Sequence, residues 1–177
     1  MVHAAPAPLS PAQIAAQCGS APLVFDDVRP DLCPALEQII RRRAESARST
    51  ASLNVGGWKS SEDFFAWRDD VVQQLRDVVA GTVGVAVSKI VAWAMLNRGG
   101  SHHPRHQHRV AMITGVYYVA VGNEDVSAPT IFEYPGGELE VAPRVGRMAL
   151  FRGETWHRVP TYNGDLPRIT VAFDVKR

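Results

Sequence analysis

Cysteine is scarce in this chain of 177 residues, and the two present, Cys18 and Cys33, make neither a CxxC pair nor a disulfide framework. That spacing excludes a disulfide-stapled scaffold and points to a reducing, cytoplasmic setting. Charge of one sign is also lacking: the net charge is +1, which gives no argument for nucleic acid or a membrane as partner. The run Arg41-Arg42-Arg43 lies in a stretch where Leu36, Ile39, Ile40 and Ala44 make an apolar stripe, so it reads as a solvated helix face. No Gly-Lys-Ser/Thr element follows Gly99-Gly100 or Gly136-Gly137, so these glycines read as turns and not as a phosphate loop. Residues 1–20 are rich in Ala and Pro but lack both a basic start and a continuous apolar run. They are expected to form a flexible or loosely packed lead-in with a short helix near 11–18, not a signal peptide. Internal repeats and low-complexity tracts are absent as well.

What is present is enough apolar residue, 46% of the chain, for one good core, and a single domain over 21–177 is expected. A first strand is read at 23–28 and a first helix at 34–48, with Pro34 at its start. A second helix is read from a Ser60 or Ser61 cap to about Ala80, where Phe64, Val71, Val72, Leu75, Val78 and Val79 recur at helical spacing and Gly81 closes it. This gives a helical layer over about 34–82. Beyond Val87 the pattern becomes short β-rich runs at 90–96, 112–121, 130–134, 138–141, 147–151 and 168–175, separated by Gly, Pro, Asn and Asp. Such runs over 87–176 predict a mainly β fold with flanking helices, a jelly-roll sandwich or barrel.

Five of the six histidines fall at His102, His103, His106, His108 and His157, leaving His3 as a surface residue. Residues two apart in an extended segment face the same way, so His106 and His108 aim two imidazoles at one point. His157 completes three-point capture of a divalent ion. Three protein ligands leave coordination positions open, as in catalytic sites, and imidazole suits iron, zinc, copper and nickel alike. His103 is a weaker candidate because Pro104 interrupts the alternation. On the last strand Arg168 and Thr170 share a face opposite Ile169, Val171 and Phe173. The planar guanidinium fork of Arg168 binds a carboxylate bidentately, which suggests an anionic cosubstrate. Tyr117 and Tyr118 point to opposite faces, and either hydroxyl could reach that carboxylate. Trp156 and Trp58 are candidates for the pocket wall.

Taken with Asn54-Val55-Gly56-Gly57-Trp58-Lys59-Ser60, Thr114-Gly115-Val116-Tyr117-Tyr118-Val119 and Leu150-Phe151, these motifs resemble a family of small 2-oxoglutarate/Fe(II)-dependent oxygenases over about 52–173. The resemblance implies a double-stranded β-helix, iron held by His106, His108 and His157, and 2-oxoglutarate anchored by Arg168 with Thr170. It also implies a dioxygenase that decarboxylates 2-oxoglutarate to succinate and, by default, hydroxylates its substrate. The wider superfamily carries Asp or Glu where this chain has His108. Loss of that negative charge is expected to loosen Fe(II) and ease its displacement by other metals.

Two other classes stay open. A cupin-like metalloenzyme without 2-oxoglutarate fits Gly100 followed by His106-x-His108, although Met112 and Ile113 stand where that pattern has Glu. A sensor barrel that holds metal without turnover fits the same histidines. A small-molecule substrate is preferred because the chain is too short for a separate docking domain, and a homodimer through the helical layer is open.

Overall fold

The computed structural model describes residues 10–50, 53–126 and 128–176. Its first element is helix α1 (Pro11–Gln17), opened by a capping box in which the Ser10 hydroxyl accepts from the Gln13 amide and the Gln13 side chain returns to the Ser10 amide. Ile14 on α1 and Cys18 just beyond it are fully buried. These two residues correct the expectation of a loosely packed lead-in for this segment: one apolar side chain and a small thiol suffice to dock it. Residues 1–9, with His3, lie outside the described residues.

Strand β1 (Leu23–Phe25) precedes helix α2 (Cys33–Ser46), which buries Cys33, Leu36, Ile39 and Ile40 as its spacing predicts. The next stretch differs from expectation. Ser60 and Ser61 cap no helix; the chain makes strand β2 (Trp58–Lys59) and a short 3-10 turn at Phe64–Ala66 before helix α3 (Asp70–Val83). The Ser60 hydroxyl instead accepts the Ala94 amide at 3.0 Å, tying β2 to its neighbour. Phe64 and Phe65 are buried from the turn, so the helical spacing of Phe64 with Val71 was coincidental. Gly81 lies inside α3, and the helix ends at Gly84, whose φ of 64° is the left-handed conformation glycine supplies without strain.

The remaining strands are β3 (Ile90–Asn97), β4 (His103–His106), β5 (Ala111–Val121), β6 (Thr130–Tyr134), β7 (Gly137–Val141), β8 (Met148–Arg152), β9 (His157–Val159) and β10 (Arg168–Lys176). They form two antiparallel sheets, a six-stranded one in the order β1-β8-β5-β10-β3-β2 and a four-stranded one in the order β4-β9-β6-β7. Strand alternation divides the large sheet into two chemically distinct faces. Leu96, Ala94 and Ala92 from β3, Ile113 and Tyr117 from β5, and Ile169, Val171, Phe173 and Val175 from β10 pack with α1, α2 and α3 in the main core. Their neighbours in sequence face the small sheet, where Val116, Tyr118, Phe132, Ala149 and Phe151 make a second cluster. Beside that cluster the same face turns polar, and a cavity of about 270 Å3 opens between the sheets. Pro104 is tolerated in β4 because β4 is an edge strand, where a missing amide donor disrupts no interior ladder.

Candidate metal and anion site

Antiparallel pairing of β4 with β9 sets His106 directly opposite His157, and their ring centroids lie 4.1 Å apart. His108 stands two residues past the end of β4, so strand alternation is not what orients it. Its amide donates to the Gly153 carbonyl at 2.6 Å, and the chain turns back there. A side chain at position 153 would collide with the backbone oxygens of His108 and Ala111, so glycine is what permits this close approach. The result brings one potential ligand atom from each of His106, His108 and His157 within 4.8 Å of the others.

The second ring nitrogen of each histidine is already engaged. His106 Nδ1 lies 2.8 Å from the Pro104 carbonyl, His157 Nδ1 lies 3.1 Å from the Thr155 carbonyl, and His108 Nδ1 lies 3.0 Å from an Asp174 carboxylate oxygen. Each partner is an acceptor, so each Nδ1 carries the proton and each Nε2 presents a lone pair. Fixing the tautomer by the outer nitrogen is how metal-binding histidines are oriented. Burial lowers the pKa of His106 and pushes that of His157 well below the ordinary value, with the neighbouring histidines adding to the effect at His157. Burial thus favours the neutral form of His106 and His157, the form a metal requires.

Arg168 and Thr170 enter the cavity from β10 together with Ala172 and Asp174, the same face of one strand. Arg168 is only 3% exposed, its Nε has no hydrogen-bond partner, and among the described residues no carboxylate pairs with it. The buried Thr170 hydroxyl is likewise without a partner. Desolvation lowers the Arg168 pKa, the direction expected for a charge lacking compensation. Two unpartnered donors on one wall, facing three histidines, make a receptor for an anion that also reaches a metal.

Of the two tyrosines, Tyr118 belongs to this side. Its ring lies under the Arg168 guanidinium, 5.4 Å from centroid to carbon, and its hydroxyl meets Thr130 at 2.8 Å. Tyr117 does not: its hydroxyl donates to the Val28 carbonyl at 2.8 Å and lies 3.2 Å from Cys33 Sγ, within the helical side of the sheet. The expectation that Tyr117 could reach a cosubstrate is thereby corrected. A bulge in the β5–β10 pairing skips Val119, matching Ile169 to Ala120 but Thr170 to Tyr118, so parity read from sequence alone could not decide between them. Trp58 and Trp156 also leave the wall. Trp58 donates to the Ala47 carbonyl at 3.0 Å, and Trp156 lies beneath Arg105 at 3.8 Å.

Trp93, Lys59 and Asp174 line the cavity without having been singled out from sequence, and His103, ranked below the pair, lines it too. Trp93 stacks against His108 with centroids 5.8 Å apart and an interplanar angle of 11°. Lys59 sits over Trp93 at 4.9 Å and pairs with Glu62 at 3.3 Å. His103, set aside for Pro104, lines the cavity 5.1 Å from the His106 ring, and burial lowers its pKa to about 3. Asp174 was legible as the third polar residue in the Arg168, Thr170 alternation.

No family profile matches the sequence, and no curated protein matches it. The structure, however, is similar to solved oxygenases. A Pseudomonas putida prolyl-4-hydroxylase superposes with a TM-score of 0.74 at 19% identity, covering 89% of this chain and 93% of that one. A Trichoplax adhaerens prolyl hydroxylase, solved with a hypoxia-inducible-factor peptide fragment, gives 0.74 at 13% identity over 91% and 84% of the two chains. HygX from Streptomyces hygroscopicus, solved with nickel and 2-oxoglutarate bound, gives 0.68 at 10% identity over 89% and 83%. These likenesses establish the fold, a double-stranded β-helix with N-terminal helices.

Proposed function

We propose that this chain is an Fe(II)- and 2-oxoglutarate-dependent oxygenase that acts on a small organic substrate. The observation that carries the reading is Arg168, a residue 3% exposed and without an acid partner among the described residues, on the wall of the cavity into which three imidazoles converge. A buried uncompensated charge is strongly unfavourable unless a ligand completes it. The charges lining the cavity agree. Lys59 and Arg168 balance Glu62 and Asp174, so a divalent ion would leave two positive charges in excess. A dicarboxylate dianion of the 2-oxoglutarate type cancels both. The solved neighbours described as prolyl hydroxylases, and one with 2-oxoglutarate bound, lend the same direction to the assignment.

His106, His108 and His157 would hold the metal through Nε2. Iron with 2-oxoglutarate supplies oxidative decarboxylation coupled to hydroxylation of a C–H bond. The protein contributes position and environment. Arg168 would take the distal carboxylate of the cosubstrate in a bidentate pair, with Thr170 donating a further hydrogen bond and Tyr118 supporting the guanidinium face. Trp93, Phe151 and Val116 form the apolar part of the wall and limit water beside the reacting centre. At about 270 Å3 the cavity lies near the lower end of the roughly 300–1,000 Å3 of small-molecule sites. That size suits a cosubstrate and a small substrate, or the end of a larger one.

The test is an anaerobic optical titration of the Fe(II)-loaded protein with 2-oxoglutarate, comparing native protein with Arg168→Ala. A visible charge-transfer band that saturates in the native protein and is lost in the variant is expected. A second reading draws on the all-imidazole donor set, which also suits a cupin-like metalloenzyme that uses no 2-oxoglutarate. Metal demonstrably bound with no band under any 2-oxoglutarate concentration would favour that reading and overturn the first.

A further inference from the structure

Asp174 is the one carboxylate that the fold sends into the cavity from the anion-binding strand, and both of its oxygens are already committed. Oδ2 lies 3.0 Å from His108 Nδ1, and Oδ1 accepts the Thr114 hydroxyl at 2.8 Å. Pairing of Asp174 with Thr114 across β10 and β5 holds the second contact in register, and the carboxylate is 9% exposed. Anchored at one oxygen, it cannot rotate away from the imidazole. Trp93, stacked on the same ring, fixes the ring plane.

The other two histidines are treated differently. His106 and His157 give their Nδ1 protons to main-chain carbonyls, which carry no net charge. Of the three, only His108 is backed by a carboxylate, and His108 stands where the wider superfamily of the oxygenases that the sequence resembles has Asp or Glu. A carboxylate on the far nitrogen makes an imidazole a more basic ligand and passes part of its charge to the metal.

We propose that Asp174 is the displaced carboxylate of this metal site: a positioning residue that fixes the His108 tautomer and supplies, through the ring, the negative charge that no direct ligand provides. The inference rests on the metal site of the proposed function. It predicts a particular consequence for Asp174→Asn. The amide carries no charge to pass through the ring. With its NH2 toward His108 Nδ1, two donors meet and the ring must move its proton to Nε2; with its carbonyl toward the ring and its NH2 on the Thr114 hydroxyl, the tautomer is kept and only the charge is lost.

Two readouts test this without turnover. Co(II) affinity, measured by competition with a chromophoric chelator, should fall about 10- to 100-fold in Asp174→Asn. The 15N resonances of His108 in the metal-free protein should report protonated Nδ1 in the native form and loss of that preference in Asp174→Leu, which offers the ring no acceptor. Thr114→Val removes only the anchor and should weaken Co(II) severalfold. His108→Asp combined with Asp174→Asn places a carboxylate directly on the metal, and it should recover affinity that Asp174→Asn alone loses. Native protein that binds no Co(II) would overturn the metal-site reading itself. Native binding with Asp174→Asn and Thr114→Val both within about twofold of it, or an unchanged His108 tautomer in Asp174→Leu, would overturn this inference and leave that reading standing.

Discussion

Arg168 acts in opposite directions on stability and on ligand binding. Its guanidinium is buried beside Tyr118 with no acid to compensate it, so the ligand-free fold carries a desolvation cost that an apolar side chain would not. Arg168→Met is therefore expected to stabilise the ligand-free protein by about 1–3 kcal/mol in urea unfolding while abolishing 2-oxoglutarate binding. A variant that loses stability instead would mean that the arginine holds the fold together, not a ligand. His103 yields a pH prediction at the same scale. Its folded pKa of about 3 lies below the ordinary value of 6.5, so the unfolded chain binds the extra proton first. The stability it contributes is present above pH 6.5 and is lost as pH falls from 6.5 toward 3. Thermal unfolding of metal-free protein should show about 1 kcal/mol less loss between pH 7 and 5.5 in His103→Gln than in the native form. Equal losses in both would assign the acid sensitivity to His106 and His157, which shift the same way. The clustered histidines and the Arg168, Thr170 alternation could be read from sequence because few structural roles place such residues together. Trp93 and Lys59 could not, since a strand tryptophan and a lone lysine have ordinary packing and solvent roles. Asp174 meets His108 only through a loop that returns across Gly153.

Strands with full alternation or long apolar runs were legible as elements: β3, β5, β6 and β10 lie within a residue or two of their expected bounds. β2, β4 and β9 were not, because two to four residues carry no periodicity and β4 and β9 are made of the site's own histidines. The second helix was read from a cap at Ser60 or Ser61, eight or nine residues before the Asp69 cap of α3, since Phe64 keeps helical spacing with α3 while packing from a 3-10 turn. In α1 the single apolar anchor was too little signal for a docked element. Ile14, at 1% exposure in the main core, shows why it docks, and Ile14→Ala should cost about 2–4 kcal/mol in denaturant unfolding. A loss under half a kilocalorie would mean that α1 frays without affecting the core. The turn after β8 is more demanding. Gly153→Ala forces apart the backbone oxygens of His108 and Ala111, so Co(II) affinity should drop at least tenfold even where circular dichroism shows an intact fold.

Seen as one molecule, the proposed function puts two ligands into one cavity with a shared charge balance. The cavity's own cations and carboxylates cancel, and burial favours the neutral form of His103, His106 and His157. A divalent metal alone therefore leaves an excess of two positive charges, while a dianion alone meets Arg168 and a Lys59 already paired with Glu62. Each ligand should bind better when the other is present, and that coupling is reciprocal. Ligands that bind only the folded state raise stability by about 2.7 kcal/mol at a hundredfold excess over Kd, which for a chain of this size is roughly 5–10 °C in Tm. Thermal unfolding with Co(II), with 2-oxoglutarate and with both should give a combined shift larger than the sum of the two separate ones. In Arg168→Met the Co(II) shift should persist and the extra shift from 2-oxoglutarate should vanish, since the metal ligands remain while the carboxylate clamp is gone. Strictly additive shifts in the native protein would mean that the two ligands do not share this cavity, and the charge argument for a dicarboxylate cosubstrate would fall with them.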